Sequence, residues 1–138
     1  QKENARLRQA LAKRDFELLI TRVQEIGDVK VLAVPVEAAD VDTMRNMSDW
    51  FRDRLGSAVI VLGAAIGNRP NFVAAVTPDL VDRGFHAGQI VKVVAEAVGG
   101  GGGGRPTMAQ AGGRDVSRLN EALELVPQWV ERKLRAGA

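Results

Sequence analysis

Leu7, Leu11, Leu18, Val23 and Ile26 recur at helical intervals through an otherwise polar opening stretch. No proline interrupts them and Gly27 supplies a stop, so the spacing predicts one long amphipathic helix over residues 2–26. Asn4 and Arg14 fall on its heptad seam, which favours a packed helical arm over a coiled coil. The pattern then changes. Residues 29–36 are valine-rich on both faces, as in a buried strand, with Pro35 marking its end or an edge position. Val41, Met44, Phe51 and Leu55 next line one helical face, with Asp40 as N-cap and Gly56 as terminator. Residues 58–66 and 72–77 read as two more buried strands, joined into a hairpin by Gly67-Asn68-Arg69-Pro70-Asn71.

Thr77-Pro78-Asp79 has the chemistry of a helix start: a capping hydroxyl, a proline suited to the first turn and a carboxylate at the positive end of the dipole. Gly84 interrupts that helix, and Ala87, Ile90, Val91, Val94 and Val98 then keep helical spacing. After a glycine-rich stretch, Leu119, Ala122, Leu123, Val126, Val130 and Leu134 define a last helix, which Pro127 is expected to kink or split. The predicted class is α/β, a small mixed β-sheet flanked by helices with an N-terminal helical arm. The division is an arm over residues 1–27 and a globular part over 28–138 carrying the loop 99–115.

A chain of 138 residues, 46% of them hydrophobic, buries one core. The formal charge of +2 hides local basic clusters. Lys2, Arg6, Arg8, Lys13 and Arg14 face only Glu3 within the first fourteen residues, and Arg105, Arg114 and Arg118 surround Asp115. Such patches bind phosphate even when net charge is small. The absence of cysteine excludes disulfides and thiolate metal sites and fits a reducing compartment, so a cytoplasmic location is expected. No apolar run reaches the roughly 20 residues that span a bilayer, and no membrane partner is expected. A first residue of Gln1 inside a helical pattern points to a fragment of a longer protein.

The most informative segment is the run of six glycines, Gly99 to Gly104, leading into Arg105-Pro106-Thr107-Met108-Ala109-Gln110-Ala111-Gly112-Gly113-Arg114-Asp115. A glycine backbone lets N–H groups converge and lets a phosphate or a base approach the main chain. Arg105 and Arg114 add charged donors, and the following helix N-terminus favours an anion. A bare glycine run is commonly a flexible linker. This one lacks serine, sits between two patterned helices and is followed by Gly112-Gly113, which suggests a specified path. It is not a Walker loop, since no Gly-Lys-Ser or Gly-Lys-Thr follows, nor a dinucleotide fingerprint, since it follows a helix. Among the other residues, His86 has no companion ligand and suits a helix start or the surface. Asp40 and Asp42 suit capping, Met44, Met47, Trp50 and Phe51 a core or interface stripe, and Arg69 and Asn71 an exposed turn.

The string from Gly99 to Gly113, with Arg114-Asp115 and an amphipathic helix behind it, resembles the signature of the C-terminal domain of alanyl-tRNA synthetases. The helix bearing Ala87-Gly88 and Val94-Ala95 and the strand 58–66 extend the likeness over essentially the whole chain. The same domain belongs to the wider DHH-associated group found with phosphoesterases and nucleases. There the glycines usually lead to a histidine; Arg105-Pro106 stands here instead and favours the synthetase branch.

The resemblance implies a non-catalytic module that binds the elbow of tRNA(Ala), where the D and T loops meet, through Gly101, Gly102, Gly103, Gly104, Arg105, Met108, Gln110, Gly112, Gly113 and Arg114. It implies upstream aminoacylation and editing domains as partners, with ATP and zinc as cofactors of the parent enzyme and none in this fragment. Alternatives are an accessory domain of a DHH-family phosphoesterase or nuclease, and a dimerisation module with a second copy as partner. Gly102→Val is expected to block close approach sterically while leaving the charge unchanged, so that affinity falls with little change in salt slope.

Overall fold

The protein is described by a computed structural model in which residues 17–137 are placed. The first sixteen residues, and with them most of the expected arm helix, lie outside that description. What is placed departs from one continuous helix. Residues 17–20 are helical, but residues 24–26 form strand β1 (Gln24–Ile26), antiparallel to β2 (Val29–Pro35). Val23 and Ile26 had mimicked helical spacing. In the fold, Val23 packs against one apolar cluster and Ile26 against the other, on opposite faces of the sheet.

The elements that follow are α1 (Val41–Leu55), β3 (Ala58–Ile66), β4 (Arg69–Val76), α2 (Pro78–Asp82), α3 (Ala87–Ala97), β5 (Gly101–Gly104), β6 (Met108–Gly112), a 3-10 turn (Val116–Arg118) and α4 (Leu119–Gly137). One six-stranded mixed sheet runs in the order β1-β2-β3-β4-β6-β5, with β2 and β3 parallel and the other pairs antiparallel. Among the described residues no helix is long and apolar enough to cross a membrane.

Alternation along the strands feeds two cores. Val29, Val31, Val59, Val61, Phe72, Ala74 and Val76 face α3 and α4; Leu32, Val34, Ile60, Leu62, Val73 and Ala75 face α1, where Met44 and Phe51 close the layer. Both faces are covered, which is why these strands read as continuous apolar runs. Gly63 makes room in the first core: a Cβ there would sit 3.0 Å from the Phe72 ring and 3.2 Å from Leu119 and Leu123.

Several local expectations are met and others corrected. The Asp40 carboxylate accepts the Thr43 N–H at 2.7 Å and caps α1, and Gly56 ends it at φ +82°. The β3–β4 turn needs only Gly67 and Asn68, both at positive φ, so β4 begins at Arg69 rather than at Phe72. Thr77 stands at the N-cap of α2 but does not cap it. Its buried hydroxyl accepts the Ala58 N–H at 3.2 Å, a donor at the start of β3 that water cannot reach. Pro127 does not split α4, which runs through it with Ala122, Leu123, Val126 and Val130 buried. The largest correction concerns the loop 99–115, in which Gly101–Gly104 and Met108–Gly112 are strands.

Candidate nucleic-acid interface

β5 and β6 form the hairpin at one margin of the sheet, with Gly101 opposite Gly112, Gly102 opposite Ala111, Gly103 opposite Gln110 and Gly104 opposite Ala109. β6 in turn pairs with β4, Asn71 opposite Gly112 and Phe72 opposite Ala111. A polyglycine stretch has little intrinsic strand preference and buries no side chain. It is held by its surroundings. A Cβ on Gly102 would lie 2.3 Å from Ala111 Cβ and 2.5 Å from Gln110 O, one on Gly100 1.9 Å from Gly112 O, and one on Gly113 2.3 Å from Val98 Cγ2. These glycines are required by the fold. A Cβ on Gly101 or Gly103 would meet nothing within 4 Å.

The hairpin is tied at both ends. Arg114 and Asp115 donate their N–H groups to Val98 O, at 2.8 and 3.0 Å, and Gly113 donates to Pro70 O at 3.0 Å, so the carbonyl at the end of α3 and the start of β4 hold the C-terminal side. At the other end Arg105 N–H donates to Met108 O at 2.8 Å and Ala87 N–H to Pro106 O at 2.8 Å, fastening the turn to the start of α3. There His86 caps the helix, its Nδ1 accepting the Gln89 N–H at 3.3 Å. Asp115 receives the Ser117 N–H at 3.1 Å and caps the 3-10 turn.

The two faces of the hairpin differ. Ala109 and Ala111 are buried in the core under α3 and α4. Met108 packs beside the α1 core, and Gln110 is exposed on that same side. By register Gly101 and Gly103 share this side with Met108, Gln110 and Gly112. α1 packs over β3 and β4, leaving the last two strands as a side-chain-poor ledge. The Asn71 carboxamide borders it: Oδ1 would be 3.4 Å from a Cβ on Gly112.

Charge is distributed around the ledge rather than on it. Arg105 and Arg114, adjacent to the glycines in sequence, stand at opposite ends of the five-residue strand β6. Arg69 shares the end with Arg114, next to Pro70. Arg69, Arg105 and Arg114 are exposed, and none of the three makes a side-chain hydrogen bond or ion pair with the described residues. Gln110 does have a partner, Arg45 of α1, which sequence inspection passed over; a contact across 65 residues leaves no local signal. Among the described residues no group of three His, Cys, Asp or Glu side chains could hold a metal ion.

Comparison with known proteins gives a consistent picture. The DHHA1 domain family matches residues 28–132. The alanine–tRNA ligase of Pelotomaculum thermopropionicum is 56% identical over 133 residues, 96% of this chain. That of Geobacillus thermodenitrificans is 50% identical over 131 residues, 95% of this chain. The chain spans only 15% of the length of either relative. Among solved structures, the C-Ala domain of Aquifex aeolicus alanyl-tRNA synthetase superposes with a TM-score of 0.72 at 27% identity, covering 80% of this chain and 98% of that domain.

Proposed function

The chain belongs to the DHHA1 domain family, and on that premise we propose that it is the non-catalytic C-terminal domain of an alanine–tRNA ligase, whose glycine hairpin binds the outer corner of tRNA. The observation that carries this reading is the open face of β5, a strand whose outward positions Gly101 and Gly103 hold no atoms beyond the backbone. A flat, side-chain-free surface leaves room for the face of an unstacked base or a terminal base pair, the exposed faces that proteins stack against in folded RNA. The tRNA elbow offers such a pair amid dense phosphate. Arg105 at one end of the ledge and Arg69 and Arg114 at the other suit the flanking strands.

On this reading alanine, ATP and tRNA meet in other domains of the ligase, and this domain contributes affinity and placement to aminoacylation and editing. ATP and zinc belong to those domains. Neither a Gly-Lys-Ser or Gly-Lys-Thr phosphate loop in this sequence nor a donor set among the described residues fits them. The division into an arm over 1–27 and a globular part over 28–138 is retained as a proposal, with β1 as the segment that joins the arm to the sheet.

The test is binding of the 138-residue chain to folded tRNA against unfolded RNA of equal length. A clear preference for the folded form is expected. Gly103→Val should reduce that preference without lowering the unfolding temperature, because the side chain stands in open space. Arg105→Glu should weaken binding and lower the salt slope by about one charge. Equal affinity for both RNAs would refute the reading; a Gly103→Val chain that keeps the full preference would move the contact off the ledge.

A further inference from the structure

Arg45 lies on α1, far from the glycine run in sequence. In the fold its guanidinium donates to Gln110 Oε1 from Nε at 3.1 Å and from a terminal nitrogen at 2.7 Å. A carboxamide carries an acceptor oxygen and a nitrogen with two donors. With two guanidinium N–H groups on the oxygen, turning the amide over would set donors against a cation. The NH2 is therefore held away from Arg45. Gln110 pairs with Gly103, the position whose outward side is open, so the held NH2 stands at the rim of the glycine ledge. Among the described residues the one ion pair of Arg45 is with Asp42 at 3.7 Å, and both side chains are exposed, which makes that pair weak.

We propose that Arg45 is a positioning residue: it fixes Gln110 as a neutral pair of N–H donors, through which the ledge selects hydrogen-bond acceptors on the RNA bases and riboses in addition to phosphate. This rests on the reading that the hairpin binds RNA. An arginine free to move would seek phosphate and add to the salt dependence. One closed on a glutamine acts through the geometry of its partner.

The experiment measures affinity of the 138-residue chain for folded tRNA as a function of salt, with Arg45→Ala, Arg45→Lys, Gln110→Ala, Gln110→Glu and the double alanine variant. Arg45→Ala and Gln110→Ala should each weaken binding about three- to tenfold, the range expected for one or two neutral hydrogen bonds, with little change in salt slope. The double variant should bind no worse than either single one. Lysine should not restore affinity, because an ammonium lacks the bidentate fork. Gln110→Glu is the sharpest arm: it keeps the contact with Arg45 and should melt no lower than the parent, yet bind weakly because acceptors replace the donors. Independent, multiplying losses in the double variant, or a Gln110→Glu chain that binds like the parent, would overturn the proposal. So would an Arg45→Ala loss that lysine repairs together with a salt-slope change of about one charge; Arg45 would then be a plain phosphate contact and the RNA reading would stand. A parent chain with no preference for folded tRNA would remove the RNA reading and this inference with it.

Discussion

Across β3 and β4 the opposed residues include Leu62 with Val73 and Ile60 with Ala75, whereas across β5 and β6 they include Gly101 with Gly112 and Gly102 with Ala111. Both pairs use the same antiparallel ladder. The first fills the space above and below the sheet with buried side chains; the second leaves that space to neighbours on one side and, at Gly101 and Gly103, open on the other. The centre therefore holds the domain together and the flank offers its backbone. The flank could not stand alone, since glycine loses the most conformational freedom on ordering and gains no burial. It is ordered because β4, the end of α3 and the start of α3 clamp it at both ends.

The largest effect that sharpens this contrast belongs to the centre. Phe72 is fully buried, lies over Gly63 and bridges β3 to β6 through its strand. Phe72→Ala should cost about 3–5 kcal/mol, as large-to-small changes of buried aromatics do. Denaturant titration would measure it. A loss below about 1 kcal/mol would mean that the core collapses around the gap and that the centre is not the stabilising half.

A smaller effect lies within the flank, between neighbouring glycines. Gly102→Ala places a methyl 2.3 Å from Ala111 Cβ against backbone on either side, so the hairpin must shift, at about 1–3 kcal/mol. Gly103→Ala places it in open space and should stay within about 0.5 kcal/mol. Gly102→Val therefore cannot test close approach alone: in a strand that close to its neighbour a branched side chain has nowhere to go, and the fold is disturbed as well. Equal melting temperatures for the two alanine variants would show that the strand is looser than its packing implies.

The same contrast explains what could be read beforehand. β2, β3 and β4 were legible because burial on both faces writes itself as unbroken runs of Val, Ile and Ala, and the caps Asp40 and His86 because capping is local chemistry. β5 was not, since glycine carries no hydrophobic periodicity and its pairing is imposed from outside. β1 was hidden because Val23 and Ile26 keep a three-residue spacing that helix and turn share. For the candidate site, the glycines and the flanking Arg105 and Arg114 stood out as a segment. That the two arginines part to opposite ends, and that Gln110 meets Arg45, are properties of register and of a crossover through α1.

The smallest separation between the two regions should come from acid. The carboxylates held below their usual range all lie outside the glycine hairpin: Asp28 through the Arg83 guanidinium, which it binds at 3.0 Å through both oxygens; Asp40 through the Thr43 N–H at the start of α1; and Asp79 through the Ser57 hydroxyl. A carboxylate with a depressed folded pKa adds stability that is fully present above its unfolded value, near 3.8, and is lost as pH falls through the lower folded one. All three groups are exposed and screened, so each contribution is modest. Thermal unfolding should thus vary little from pH 7 to pH 5 and fall below pH 4. Asp40→Asn and Asp79→Asn should flatten that fall while Gly103→Ala leaves it unchanged. If the alanine variant alters the acid limb as much as the asparagine variants do, protonation also loosens the hairpin, and the division of labour between centre and flank fails at low pH.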